Sequence, residues 1–266
     1  MASTYDSFAP VGLSAFSLEN KTAVITGGAR GIGYAIAEQF VAAGAKVIIA
    51  DLNEDIGKAA AAKISTAEQT VDFFQVDLTD AEAVSALQAK LLAHSPRIDI
   101  GVNCAGICEN TDVLNISANE WRKVIDVNLT AMFLATQMLG HIMSQQGGGS
   151  IVCIGSNSGL TVDKPQPQAH YNASKAGVHQ MVRSFAAELA PRNIRVNAIA
   201  PGYTLTAMTK LGLSRKDWVD TWTEMTPMRR FAEPSEIANG VHFLASDASS
   251  YVTGIVLLID GGYSCW

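Results

Sequence analysis

The chain predicts an α/β protein: a single Rossmann-type, doubly wound parallel sheet of about seven strands with helices on both faces. Three observations carry this. Short apolar, partly β-branched runs alternate with longer amphipathic stretches from Thr22 to the C-terminal end, the pattern that builds parallel sheets through right-handed crossovers. No Pro/Ser-rich linker or charged run divides the 266 residues, a length that one large α/β domain fills. Hydrophobic residues make up 48% of the chain, enough to cover a sheet on both faces.

The first strand is expected at 22–26, where Thr22-Ala23-Val24-Ile25 is apolar and partly β-branched. It runs into Thr26-Gly27-Gly28-Ala29-Arg30-Gly31-Ile32-Gly33, and a helical pattern follows over 32–43. Strand, glycine-rich turn and helix N-terminus in this order are the context of a dinucleotide fingerprint. The glycines let the backbone approach a pyrophosphate, and the helix N-terminus presents free N–H groups to it. The second strand, 46–50, ends at Asp51. A carboxylate there accepts hydrogen bonds from ribose hydroxyls and repels a 2′-phosphate, whereas Arg30 offers such a phosphate a cation. Like charges at contact cost more than one flexible arginine returns, so NAD is the expected cofactor.

Further strands are expected at 72–76, 98–102, 150–155, 194–199 and 255–259, with helices at 54–65, 80–93, 117–145, 171–190 and 234–245. Thr26, Asp51, Asp77, Asn103, Ser156 and Pro201 then all fall at carboxyl ends of strands, where open α/β sheets bind ligands. The segment 202–230 fits no regular element, yet Met208, Trp218, Trp222, Met225 and Met228 make it apolar for an exposed loop. A packed surface helix is one reading of it. A lid closing over substrate is the reading adopted.

Tyr171 and Lys175 lie four residues apart, a spacing that stacks two side chains on one helix face. A free tyrosine titrates near ~10, and a neighbouring ammonium favours its phenolate. The pair therefore reads as a tuned acid/base.

With these residues in view, the chain resembles the short-chain dehydrogenase/reductase family from about Leu18 to the last residue. The spacing Thr-Gly-x-x-x-Gly-x-Gly matches that family's glycine loop. Asn103-Cys104-Ala105-Gly106 is similar to its Asn-Asn-Ala-Gly element, with Cys104 in place of the second asparagine. The resemblance implies a catalytic set of Asn128, Ser156, Tyr171 and Lys175. Tyr171 would exchange the proton, Lys175 lower its pKa and hold the nicotinamide ribose, Ser156 hold the reacting oxygen, and Asn128 keep a water beside Lys175. Ser158 lies nearer the usual interval before Tyr171, but counting from the strand end selects Ser156. The resemblance also implies cofactor contacts at Gly27, Arg30, Gly31, Ile32, Gly33, Asp51, Leu52, Asp77, Leu78, Asn103, Ala105, Gly106, Tyr171, Lys175, Pro201, Gly202, Thr204 and Thr206. Asp77 would meet the adenine amino group, and Thr204 and Thr206 the carboxamide.

Local likeness of 155–159, 165–168 and 260–266 to the family's polyol and ketose members implies a sugar alcohol or vicinal diol as substrate, oxidised to its ketone. Ser156, Asn157, Ser158, Gln166 and Tyr171 are the expected substrate contacts, with Glu109 and Asn110 as further polar loop residues nearby. Three alternatives stand beside this: an acyl-thioester ketone, a steroid, or a non-catalytic relative that senses NAD. Thioester reductases of the family commonly prefer the phosphorylated cofactor, which sets Asp51 against the first.

The net charge of −6 with scattered Lys and Arg argues against nucleic acid, whose phosphates are bound by clustered cations. Residues 1–16 lack the basic start and apolar core of a signal peptide, and polar residues from Asn128 to His141 spoil 127–146 as a membrane span. A cytoplasmic protein with a loose arm at 1–17 and one domain at 18–266 is expected, with no membrane partner. Cys104, Cys108, Cys153 and Cys265 have no Cys-x-x-Cys pairing; they read as reduced core thiols, and no metal is expected. Apolar surface on 117–145 and 171–190 and the ending Gly262-Tyr263-Ser264-Cys265-Trp266 point to a homotetramer.

Overall fold

The computed structural model describes residues 12–266. Seven parallel strands form one sheet: β1 (Thr22–Thr26), β2 (Lys46–Asp51), β3 (Asp72–Gln75), β4 (Ile100–Asn103), β5 (Gly149–Ile154), β6 (Ile194–Pro201) and β7 (Val256–Ile259), in the order β3-β2-β1-β4-β5-β6-β7. From β1 the chain winds outward one way to β3, then returns to β4 on the other side of β1. That reversal opens a crevice at the carboxyl ends of β1 and β4, where Thr26 pairs in register with Asn103.

The helices are α1 (Gly31–Ala42), α2 (Glu54–Ile64), α3 (Ala81–His94), α4 (Ala118–Ile125), α5 (Ala131–Gln146), α6 (Ala169–Leu189), α7 (Ala207–Leu213), α8 (Lys216–Met225) and α9 (Pro234–Ala245). One apolar core lies under α1 and α9, with Ile36, Phe40, Ile237 and Leu244 against Ile25 and Val47. The other lies under α3, α5 and α6, with Leu87, Leu139, Ile142 and Val178 against Val24 and Ile151. Every residue of β1 and β4 is buried, as a strand covered on both faces requires. A Cβ on Gly101 would stand 2.4 Å from Leu139 Cδ1, so its absence lets α5 press onto β4.

Three regions depart from the sequence expectation. The helix expected at 117–145 is α4 and α5 joined by a π-helical turn at Asp126–Thr130; a single widened turn is too short for the apolar pattern to separate it from regular helix. The segment 202–230, expected to be irregular, contains α7 and α8. Trp222 is the buried residue of α8, so the aromatic content reflects helix packing. Of the arm expected at 1–17, residues 1–11 lie outside the described residues. Gly12–Phe16 forms a 3-10 turn that buries Ala15, and His242 Nε2 donates to Phe16 O at 2.6 Å, which docks this stretch on α9. No helix among the described residues is long and apolar enough to cross a membrane.

Candidate active site

The glycine loop joins β1 to α1 through positive-φ turns at Gly27 (66°) and Gly31 (57°), conformations that L side chains rarely adopt. A Cβ on Gly27 would stand 2.6 Å from Ala105 N, and one on Gly33 2.2 Å from Gly27 O. The loop therefore lies directly against the 104–106 segment. Asp51, closing β2, accepts from Ala29 N at 3.2 Å, which ties the carboxylate to the loop it was expected to neighbour. Arg30 and Leu52 are exposed. Ile32 packs against the core under α1. Asn103 donates to Thr136 Oγ1 at 2.9 Å and accepts from Thr26 Oγ1, locking β4 at the crevice floor. Across the opening, Thr206 Cγ2 lies 3.5 Å from the Cβ position of Gly31, and Gly202 packs on Asp260. Thr204 is buried and donates to Gly202 O, while Pro201 ends β6. Asp77 sits farther out, exposed, and accepts from Thr79 N and Oγ1 at 2.9 and 2.7 Å, with Leu78 buried beside it.

The expected catalytic residues converge from three elements. Tyr171 and Lys175 stand on the first turns of α6, with Lys175 Nζ 5.6 Å from the Tyr171 ring centre. Lys175 is buried and donates to Ile154 O at 3.0 Å. Ser156, just beyond β5, stands near enough to the Tyr171 hydroxyl to draw its pKa down. Asn128 sits in the π-helical turn, fully buried. Its amide donates to Ile107 O (2.8 Å) and Ser174 Oγ (3.1 Å) and accepts from Ile107 N (2.8 Å). Ser174 Oγ donates in turn to Tyr171 O at 2.7 Å, so Asn128 clamps the backbone after β4 to the tyrosine's own turn of helix. Gly106 completes the floor: its Cβ position lies 3.3 Å from Asn128 Oδ1 and 3.5 Å from Lys175 Nζ.

Burial governs the electrostatics here. It lowers Lys175 to about 8 and pushes the Tyr171 hydroxyl well above its ordinary value, with Ser156 pulling the other way. The expectation that Lys175 sets the tyrosine's pKa meets a stronger opposing cause, the loss of solvent around the phenol.

Beyond Ser156 the chain makes a buried polar loop. Ser158 Oγ donates to Asp163 Oδ2 at 2.6 Å and accepts from Ser156 Oγ at 3.0 Å and Gln168 Nε2 at 3.2 Å. Asn157 Nδ2 donates to Asp163 Oδ1 at 3.1 Å. Gln166 donates to Tyr203 OH (2.8 Å) and accepts from Trp222 Nε1 (2.8 Å), while Tyr203 stacks on Trp222 with ring centres 4.5 Å apart. The two faces of the Gln166 amide, expected to meet substrate, are thus engaged by α8 and the loop after β6. Lys164 N donates to Tyr263 OH at 2.9 Å, bringing in the C-terminal turn.

Sequence reasoning missed Asp163, Gln168, Tyr203 and Tyr263. Asp163 is 5% exposed, but a single acid between Val162 and Lys164 in a proline-containing loop carries the same signal as a solvated one. Glu109, expected beside the cleft, pairs with Lys123, and Asn110 is exposed. Of the four free cysteines, Cys153 is buried in the core under α3, α5 and α6, and Cys104 packs against the one under α1 and α9. Cys108 instead lies half-buried, 3.6 Å from Gln168 Oε1, because β4 ends before it, and Cys265 is exposed. Among the described residues no group of three or more His, Cys, Asp and Glu is placed to hold a metal ion.

A glycine-turn crevice at the sheet's switch point, with buried Ser156 and Lys175 and half-buried Tyr171 gathered beside it, is the architecture of the short-chain oxidoreductases. The chain belongs to the short-chain dehydrogenase/reductase family: a family model described as enoyl-(acyl carrier protein) reductase matches residues 27–264. Among curated proteins it is 44% identical to a galactitol 2-dehydrogenase (L-tagatose-forming) of Cereibacter sphaeroides, over 94% of this chain and 98% of that one. It is 39% identical to a ribulose-forming D-arabinitol 2-dehydrogenase of Scheffersomyces stipitis (94% and 96% covered). A 3-oxoacyl-[acyl-carrier-protein] reductase of Chlamydia muridarum is 42% identical (92% and 98%). The crystal structure of gox2181 superposes with a TM-score of 0.94 at 43% identity, covering 96% of this chain and 99% of that one. Two further structures have a TM-score of 0.89. One is described as a putative NAD(P) dependent gluconate 5-dehydrogenase from Beutenbergia cavernae with NADP bound at low occupancy, 36% identical (95% and 100% covered). The other is a 7α-hydroxysteroid dehydrogenase complexed with NADH, 32% identical (95% and 98%).

Proposed function

We propose that this protein is an NAD-dependent oxidoreductase that interconverts a secondary alcohol, a sugar alcohol or other vicinal diol, with its ketone. The observation that carries the reading is the junction of Ser156, Tyr171 and Lys175 with the buried polar loop of Asn157, Ser158, Asp163 and Gln168. A polyol needs several hydrogen-bonding partners at once, whereas a steroid or fatty chain calls for apolar lining. The similarity to galactitol and D-arabinitol dehydrogenases supports the same substrate class. An acyl-thioester ketone is the second reading, favoured by the similarity to an acyl-carrier-protein reductase; the polar loop and Asp51 weigh against it.

The residues present fit a nicotinamide dinucleotide. Side-chain-free positions at Gly27, Gly31 and Gly33 leave the first N–H groups of α1 open to a pyrophosphate, and Asp51 stands where a ribose is held at the end of β2. Held there, a nicotinamide would supply hydride transfer to or from the substrate carbon. Tyr171 donates a proton to the reacting oxygen in reduction and takes it back in oxidation. Ser156 holds that oxygen and stabilises charge growing on it. Lys175 keeps positive charge beside the phenol and holds ribose hydroxyls, Asn128 keeps a water in the proton route beside it, and α7 with α8 forms the lid.

Initial rates with NAD and NADP on galactitol, sorbitol, xylitol and 1,2-hexanediol, set against 2-octanol and cyclohexanol, test the reading. Higher specificity constants for the simple alcohols sink the polyol assignment. Asp51→Ala is expected to narrow or invert the preference for NAD over NADP, and an unchanged ratio shows that Asp51 does not read the ribose.

A further inference from the structure

Asp163 is a buried carboxylate with no cation bonded to it among the described residues; Ser158 Oγ donates to it at 2.6 Å and Asn157 Nδ2 at 3.1 Å. An ionised carboxylate offers only lone pairs, so the single hydroxyl hydrogen of Ser158 is committed to it. Ser158 Oγ is then left with lone pairs alone. They meet the Ser156 hydroxyl at 3.0 Å and Gln168 Nε2 at 3.2 Å.

We propose that Asp163 makes Ser158 an obligate hydrogen-bond acceptor, and that in the working site it accepts from a free hydroxyl on the substrate carbon next to the reacting one. The inference rests on the secondary-alcohol reading and deepens it. Ser156 has one hydrogen to give. Once it turns that hydrogen to the reacting oxygen, Ser158 loses its closest donor while remaining buried. A hydroxyl on the adjacent carbon restores the bond, because Ser156 and Ser158 are themselves hydrogen-bonded neighbours and two oxygens on adjoining carbons reach both. A keto oxygen, an ether or a fluorine there sets lone pair against lone pair and leaves Ser158 with Gln168 as its one donor. Asp163 touches no substrate in this scheme. It is a positioning residue, acting through Ser158.

The scheme holds only while Asp163 is ionised. Burial, with the charge of Asp260 nearby, raises it to about 6. The other titratable groups that face it are Tyr171 on α6, Tyr203 after β6, Tyr263 in the C-terminal turn and Cys108 after β4, each of which feels its charge. Once protonated, Asp163 no longer compels Ser158 to donate, so selection for the adjacent hydroxyl falls as pH drops through about 6.

The test uses the full chain with NAD and three substrates: 2,3-butanediol, 3-fluoro-2-butanol and 2-butanol. Fluorine matches a hydroxyl in size but cannot donate, and its inductive effect on the reacting carbon cancels when enzymes are compared. In Asp163→Asn the side-chain oxygen still accepts from Asn157, so the new amide nitrogen faces Ser158 and reverses its polarity. The diol-to-fluoro ratio of kcat/KM is expected to fall by about tenfold in this variant, equivalent to about 1.4 kcal/mol. In wild type it is expected to fall by about threefold between pH 8 and pH 5.5, because a group titrating at about 6 is still about a quarter ionised at the lower pH. Ser158→Ala is expected to lose the same ratio and carries the test if Asp163→Asn does not fold, as judged by circular dichroism. A ratio unchanged in a folded variant overturns the proposal. So does wild type handling all three substrates equally well, which leaves the dehydrogenase reading standing. Wild type turning over none of the three overturns the secondary-alcohol reading beneath it.

Discussion

Burial pushes the Tyr171 hydroxyl up while Ser156 pulls it down, so the acid/base role proposed for it depends on neighbours rather than on the phenol itself. Tyr171→Phe removes only the hydroxyl from an intact helix; turnover is expected to fall by at least about a hundredfold, with NAD binding retained. Initial rates beside a fluorescence titration with NAD check this, and a variant keeping a tenth of the activity overturns the assignment. His179 makes the opposite case. It is 2% exposed and neither ring nitrogen has a partner. It is wedged against the serine turn so closely that a Cβ on Gly155 would stand 2.4 Å from Nε2. Burial, with the charges of Lys175 and Arg183, lowers it from 6.5 to about 4. Between those values the unfolded chain binds the proton and the folded chain resists it, so stability is lost as pH falls through that window. Asp163 acts in reverse, since a carboxyl raised from 3.8 to about 6 takes up its proton more readily when folded. The net slope is the difference of the two. His179→Leu is expected to flatten or invert the fall in urea midpoint between pH 6.5 and 4.5, and an unaltered slope places the acid sensitivity elsewhere.

At the scale of elements, the π-helical turn at Asp126–Thr130 and the α7–α8 pair organise the site. The extra residue per turn in a π-helical segment breaks the regular helical spacing, and Asn128 is the buried residue of that segment. Helix α8 is pinned through Trp222 Nε1 to Gln166 Oε1, and Tyr203 stacks on the same indole. Trp222→Phe keeps most of the apolar contact but leaves the buried Gln166 oxygen without its donor, a loss of about 1–3 kcal/mol. Thermal unfolding is expected to show a lower Tm, and KM for substrate a rise larger than any change in kcat, as loosening of the proposed lid dictates. An unchanged Tm shows that the indole bond contributes nothing to holding α8.

For the whole molecule, the sheet order β3-β2-β1-β4-β5-β6-β7 gathers residues far apart in sequence at one edge, and the outer face of α4 to α6 keeps Trp121 and Phe133 partly exposed. Trp266 is also largely exposed, although its indole donates to Met225 O at 2.7 Å. We propose that these surfaces meet in a homotetramer. Light scattering at micromolar concentration is expected to give four times the chain mass of 28.2 kDa, and a monomeric mass rules the assembly out.

The seven strands, the glycine turn, the Tyr171/Lys175 pair and the carboxylate ending β2 were legible in the sequence. Each is encoded locally, by an apolar run, by glycines where a side chain would collide, or by a four-residue helical spacing. The polar loop was only half legible. Asn157, Ser158 and Gln166 were named because they neighbour a motif, whereas Asp163 and Tyr203 carry no local signal, and Gln168 and Tyr263 lie in stretches whose likeness assigns them no role. Gln166, expected to face substrate, is held instead by Trp222 and Tyr203, residues that reach it only when the segment after β6 folds back over the loop after β5. Local pattern thus determined the class of fold and its cofactor-facing edge. Tertiary structure alone decided which polar side chains are buried and which partners they find, because hydrogen bonds and desolvation depend on distances between segments that the chain order does not encode.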